Sequence, residues 1–151
     1  MDDNQQQAHE RIPERHHEFL AEHSKAVLVT LKRDGRPQLS NVLYHYDRDS
    51  GRALVSVTAD RAKTRNAQRD PRVSLHVSSD DFWAYLVAEG DAVLGDVARD
   101  PDDPAADELV ELYRKLAGEH EKWEKFREVQ VAEQRLVLAV DIGHTYGMVR
   151  P

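Results

Sequence analysis

Between Ala26 and Thr58 three strand-like segments follow one another with only tight turns between them, and this constrains the fold more than any other feature. AVLVTL (Ala26 to Leu31) is a short apolar run, read as buried on both faces. KRDGRP follows, and its Asp34–Gly35 pair is a strong hairpin signal because glycine accepts positive φ. PQLSNVLYHYD (Pro37 to Asp47) reads as the returning strand, DRDSG (Asp47 to Gly51) as a second turn, and RALVSVT (Arg52 to Thr58) as a third strand. A doubly wound parallel fold needs helices between most strands, and these three have none. The segment is expected to form a three-stranded antiparallel meander.

The rest of the chain extends this pattern. RVSLHVS alternates, with Val73, Leu75 and Val77 on one face and Ser74, His76 and Ser78 on the other. FWAYLVAEGDAVLG (Phe82 to Gly95) reads as one long strand bending at Gly90. RDPDDPAAD is an acidic, turn-rich linker into a helix that carries Leu109, Leu112, Tyr113 and Leu116 on one face and meets Gly118 at its end. EKWEKFREVQVAEQ is a second helical piece, and RLVLAVDI and HTYGMV are two closing strands. At the other end, Pro13 suits a first helical turn, and Phe19 and Leu20 give a short helix an apolar stripe. Met1 to Ala8 are polar and expected to be frayed, with residues 1–10 outside the ordered body. The expectation is a mainly β chain, a single domain over residues 1–151. It has about six or seven antiparallel strands in a closed or half-closed barrel, with a helical insertion before the last strands.

Composition removes several function classes. A net charge of -7 and a pI near 5.6 lack the broad basic field of a nucleic-acid binder, yet leave room for one local anion pocket. The chain has no cysteine, hence no disulfide, thiolate metal site or cysteine nucleophile. No apolar run reaches the roughly 18 residues of a membrane span, and the polar start carries no secretory core, so a cytoplasmic location without membrane contact is expected. Of the eight histidines, His16, His17 and His23 share a helix, but His16 and His23 are two turns apart; no metal site is expected. GxSxG, P-loop and dinucleotide fingerprints are absent.

Against that acidic background TADRAKTRNAQRDPRVSL (Thr58 to Leu75) concentrates five cations: Arg61, Lys63, Arg65, Arg69 and Arg72. A solvated helix face is the ordinary explanation. Position argues otherwise, because the stretch leaves a strand end and opens a helix, whose N-terminus offers free N–H groups and partial positive charge. Arg61 and Lys63 there make a place for a phosphate or carboxylate. Arg69 and Arg72 are read as surface or ion-pair residues. Elsewhere Gln38, Ser40 and Asn41 give one strand several hydrogen-bonding groups, equally compatible with a solvent face and a ligand face. Trp83 and Tyr85, two apart on one strand, point the same way, either as core or interface packing or to stack on a flat ring. His45 and Tyr46 are possible proton donors that no spacing requires. Trp123 and Phe126 read as packing residues.

TLKRDGRPQLSNVLYHYD, VTADRAKTRNAQRDPRVSL, DDFWAYLVAEGDAVL and the long LVELYRKLAGEHEKWEKFREVQVAEQRLVLAVDIGHTYG together resemble the mycobacterial-type deazaflavin enzymes of the pyridoxamine-phosphate-oxidase-like superfamily, from about residue 20 onward. The resemblance implies an FMN-binding split β-barrel, a homodimer, and coenzyme F420 (alternatively FMN) held in a groove between the subunits. It makes Arg61, Lys63 and Thr64 the phosphate contacts, with Ala62 supplying a backbone N–H. Gln38, Ser40 and Asn41 would lie along the ring, Ser56 and Val57 beneath it, and Trp83 and Tyr85 would reach it from the second subunit. The implied activity is hydride transfer to a small unsaturated or conjugated organic substrate. The alternatives are an FMN-dependent enzyme on the same barrel, a cofactor carrier without turnover, and an interaction module whose basic patch binds an acidic partner. Plugging of the ring-facing strand by Tyr44 or Tyr146 would favour the carrier.

Overall fold

The computed structural model describes residues 3–150. Two short helices, α1 (Asp3–Glu10) and α2 (Glu14–Glu22), lead into β1 (Lys25–Leu31), β2 (Pro37–Leu43), β3 (His45–Asp47) and β4 (Arg52–Thr58). Helix α3 (Ala62–Arg69) precedes β5 (Arg72–Ser78) and β6 (Tyr85–Leu94). Helices α4 (Pro104–Ala117) and α5 (Trp123–Ala132) then come before the long β7 (Arg135–Met148). The strands form one seven-stranded antiparallel sheet in the order β2-β1-β5-β6-β7-β4-β3. It curls into a split, half-closed barrel.

The meander is the first expectation to be corrected. β1 and β2 form a hairpin through Gly35 (φ 85°), and β3 and β4 form another through Gly51 (φ 69°). The two hairpins sit at opposite edges of the sheet order, joined in sequence by the single residue Tyr44. Tyr44 is fully buried; its N–H donates to Ser24 O at 2.8 Å and its hydroxyl to Leu20 O at 2.8 Å. This side chain pins the point at which the chain leaves one edge and enters the other. The curl also brings β2 near β4 without a ladder between them.

Alternation places the core. Ala26, Leu28 and Thr30 of β1 face inward with Ala53, Val55 and Val57 of β4 and Val73, Leu75 and Val77 of β5. Val27, Val29 and Leu31 are only half-buried on the outer face, so β1 is not buried on both sides as its apolar run suggests. β7 is the strand that is: Leu136 to Ile142 are all buried, one face in the barrel and the other, through Val137, under α4. Asp103 caps α4 by accepting from Ala106 N (2.8 Å), Pro104 opens its first turn, and Gly118 (φ 82°) ends it. The expected bend at Gly90 is a register shift between Glu89 and Gly90, where a Cβ would run into the Asp141 carbonyl.

Three further boundaries differ. β7 is one continuous strand rather than two. β6 starts at Tyr85, because Phe82 (φ 78°) turns the chain and Ser79 N–H bonds back to Ala84 O; Trp83 therefore sits in a turn, not on a strand with Tyr85. In the N-terminal segment Asp3–Glu10 is helical, with Gln5 on Asp141 and His9 Nε2 on the Tyr46 hydroxyl at 3.1 Å. These anchors are polar and distant in sequence, which is why an apolar-periodicity argument misses them. Met1 and Asp2 lie outside the described residues.

Candidate functional site

The site is built where β4 hands the chain to α3. Thr58 ends the strand, and its carbonyl accepts from Arg61 N (3.3 Å) and from the Thr64 hydroxyl (2.7 Å), which closes the turn. Arg61 is the N-cap residue and no side chain caps the helix, so the Ala62 and Lys63 N–H groups are left for another acceptor. The positive end of α3 thus stands beside two cations, Arg61 and Lys63, that have no ion-pair partner among the described residues.

A third cation comes from far away in sequence. Pairing of β4 with β7 sets Arg135 directly opposite Thr58, and Arg135 Nη1 donates to Ser56 Oγ at 3.2 Å while Nε meets Glu133 at 3.1 Å. Partial burial, then the charges of Arg61 and Arg135, hold the Lys63 ammonium below the ordinary lysine range. Of the three, only Arg135 has a counter-charge among the described residues, Glu133, and an anion placed beside Arg61 and Lys63 would relieve their repulsion. The Thr58 hydroxyl is buried and without a partner among the described residues. The donor set of Arg61, Lys63, Arg135, two backbone N–H groups and this hydroxyl suits a phosphate. Sequence reasoning missed Arg135, since only strand register reveals it.

The far end of α3 is different. Arg72 pairs with Asp70 at 2.7 Å and holds that carboxyl down to about 2. Arg69 has no ion-pair partner among the described residues: its Nη2 donates to Leu31 O and to Asn66 Oδ1, both at 2.9 Å.

A cavity of about 380 Å³ opens beside Arg135. Ser56, Glu133 and Arg135 form its polar side; Leu43, Leu112 and Phe126 are among its apolar walls. Tyr113, His120, Trp123 and Phe126 pack edge-to-face or tilted against one another behind it, and Trp123 and Phe126 act as packing residues. The α4–α5 insertion therefore roofs a pocket whose polar side holds the Arg135–Glu133 pair.

The family model described as pyridoxamine 5'-phosphate oxidase matches residues 12–148. The chain belongs to this family. Solved structures agree in fold. The conserved hypothetical protein Rv2991 from Mycobacterium tuberculosis is 21% identical, with 87% of this chain and 81% of that one covered at a TM-score of 0.67. An F420 reductase is 22% identical, with coverage of 89% and 98% and a TM-score of 0.65. HutZ, the heme storage protein from Vibrio cholerae, is 15% identical, with coverage of 87% and 90% and a TM-score of 0.64. At these identities the likeness is one of architecture, and its bearers differ in what they do.

The residues that the family resemblance singles out are only partly brought together. Arg61, Ala62 and Lys63 are gathered at the helix start. Thr64 is fully buried with its hydroxyl proton given to Thr58 O, so it shapes the turn. On β2, Gln38 and Ser40 share the inner face, cross-paired with Thr30 and Leu28, whereas Asn41 points to the exposed outer face. Ser56 and Val57 likewise diverge: Val57 is core and Ser56 lines the cavity. Trp83 is 70% exposed in its turn, and Tyr85 stacks on His76 on the outer face with centroids 5.6 Å apart. Tyr44 is locked into the core by its hydroxyl bond to Leu20 O, and Tyr146 stands half exposed on the outer face. The helix histidines have protein partners: His16 with Thr145 (2.8 Å), His17 with Tyr46 (2.7 Å), His23 with Phe19 O (2.7 Å). His45 is half-buried and held below the usual histidine range, and burial lifts the Tyr46 hydroxyl to about 12. No helix among the described residues is long and apolar enough to cross a membrane.

Proposed function

We propose that this protein is an oxidoreductase that binds coenzyme F420 by its phosphate at Arg61, Lys63 and Arg135 and reduces a small unsaturated or conjugated organic substrate. The observation that carries this reading is the pair of uncompensated cations, Arg61 and Lys63, at the start of α3, with the unpartnered Thr58 hydroxyl at the end of the strand that leads into it. When bound, the deazaflavin supplies the hydride, so the chain needs no nucleophile of its own. The residues have positioning tasks. Arg61 offers a planar fork, Lys63 a mobile point charge, and the Ala62 and Lys63 N–H groups complete the cradle. Gln38 and Ser40 on the inner face of β2 contact the ring. The apolar cavity under α4 and α5 keeps water from a flat substrate.

Preference for F420 over FMN rests on the resemblance of the quoted segments to deazaflavin enzymes and on the F420 reductase among proteins of like fold. The protein acts as a homodimer in this reading. Exposed Leu39, Leu43, Phe82, Trp83 and Met148, each more than half accessible, supply apolar surface for a second copy, and Trp83 and Tyr85 would complete the partner's site.

The test is fluorescence titration of the purified protein with F420 and with FMN. It is followed by incubation with reduced F420 and a panel of enones, quinones and tetrapyrroles while cofactor absorbance is watched. Tighter binding of F420 and oxidation of the reduced cofactor by at least one acceptor are expected. Tighter FMN binding replaces the cofactor assignment, and binding without turnover against any acceptor replaces the enzyme by a carrier.

A further inference from the structure

Gln38 belongs to a chain of hydrogen bonds that starts on α3 and crosses two strands. Arg69 Nη2 donates to Asn66 Oδ1 (2.9 Å), Asn66 Nδ2 donates to Thr30 Oγ1 (3.2 Å), and Thr30 Oγ1 donates to Gln38 Oε1 (3.1 Å). Thr30 is fully buried and Asn66 is 7% exposed, so the middle of the chain has no water to exchange with.

The direction of this chain is not free. A guanidinium has only donors, so the Asn66 atom it meets must be the oxygen. That leaves the Asn66 amide nitrogen facing Thr30, where it can only donate. The Thr30 hydroxyl then spends its own proton on the next acceptor, the Gln38 carbonyl oxygen, because no other acceptor meets it among the described residues. Each step fixes the next. The second Nη2 proton of Arg69 goes to Leu31 O, which holds the guanidinium in place at the end of β1.

We infer that this relay sets the amide of Gln38 so that its nitrogen, with both protons, is what the protein offers to a ligand. The amide nitrogen has no partner among the described residues, and Gln38 is half-buried on the edge strand that approaches β4. Ser40, two residues on along the same face, has a buried hydroxyl without a partner. The pair makes a donor-bearing edge. It favours a ring edge that carries a carbonyl oxygen or a bare nitrogen, and it penalises one that presents N–H or C–H. Gln38 is thereby a specificity-determining residue, and Thr30, Asn66 and Arg69 are positioning residues that act through it. The inference rests on the cofactor reading above for the identity of the ligand, but the relay itself does not.

The experiment is titration with F420 and FMN of the wild type and of Thr30→Val, Thr30→Ser, Gln38→Ala, Gln38→Glu and the double variant Thr30→Val/Gln38→Ala. Loss of one neutral hydrogen bond corresponds to about a three- to tenfold loss of affinity. Thr30→Val is expected to lose about that much and Thr30→Ser to restore it. Gln38→Glu, which puts lone pairs where protons were, is expected to bind more weakly than Gln38→Ala. The double variant is expected to bind no more weakly than Gln38→Ala alone, since Thr30 acts through Gln38. Wild-type affinity in Gln38→Glu, or additive losses in the double variant, overturns the inference; the Gln38 variants lie on a half-exposed edge strand and do not depend on core packing. If the wild type binds neither cofactor, the cofactor reading fails on its own. The relay is then decided in the free protein by solvent exchange of the Asn66 side-chain amide protons. Protection that is lost in Thr30→Val and in Arg69→Met supports it, and protection unchanged in both overturns it.

Discussion

The two ends of α3 carry the same kind of charge and use it in opposite ways. At the N-terminal end Arg61 and Lys63 are left without counter-charge, joined by Arg135 from the neighbouring strand, and the Lys63 ammonium is driven below its usual range. At the C-terminal end Arg72 is neutralised by Asp70 and Arg69 is spent on Leu31 O and Asn66. A count of basic residues between Thr58 and Leu75, five in all, does not tell the two ends apart. What separates them is the helix axis. The N-terminal end has bare N–H groups and repels cations, so cations kept there without counter-charge suit the anion site proposed above. The C-terminal end has carbonyls and an aspartate at hand and satisfies its arginines internally.

Substitutions along the helix can break this contrast, and the largest effect is expected at Lys63. Lys63→Ala should weaken binding of the phosphate-bearing cofactor by about 1–3 kcal/mol, the range for a charged hydrogen bond, as read by fluorescence titration. Arg135→Ala should cost less, about 1 kcal/mol, because Glu133 already draws on that guanidinium. A comparable loss there would extend the site from one helix end to β7; no loss would confine it to α3. The pH dependence sharpens the same point. The anion binds the protonated lysine, and Lys63 loses its proton at lower pH than an ordinary lysine does. Affinity should therefore fall as pH rises through that depressed value, and Lys63→Arg should abolish the fall. Smaller still is Arg69→Ala, which frees the relay to Gln38 and is expected to cost a few-fold in affinity. Arg72→Ala, which removes only an exposed pair, should leave binding unchanged in the same titration.

The same contrast shows how far the sequence could be read. The mainly β barrel, the Gly35 and Gly51 turns, the bend at Gly90 and the stop of α4 at Gly118 were legible because each depends on neighbours in sequence. So was the local arrangement at the start of α3, since strand, turn, cation and helix are contiguous; its anion-binding role is the proposal made above. The splitting of the expected meander was not, because it depends on Tyr44 bonding to Ser24 and Leu20 rather than on any alternation. Nor was Arg135, which joins the cluster by register across β4 and β7. Arg69 looked like a surface charge because its partners, the end of β1 and an asparagine one turn back, show only when α3 docks on the sheet. The single-strand reading of Trp83 and Tyr85 failed on one positive φ at Phe82, a residue type that rarely adopts it. Helix α1, with no buried residue, has no apolar signature to read.

The central claim is that the start of α3 grips the phosphate of a flat redox cofactor. The direct measurement compares binding of the deazaflavin with and without its phosphate-bearing tail, to the wild type and to Lys63→Ala. The account predicts that removing the tail costs the wild type at least tenfold in affinity and costs Lys63→Ala far less. Equal losses in the two proteins, or no loss in either, would contradict it.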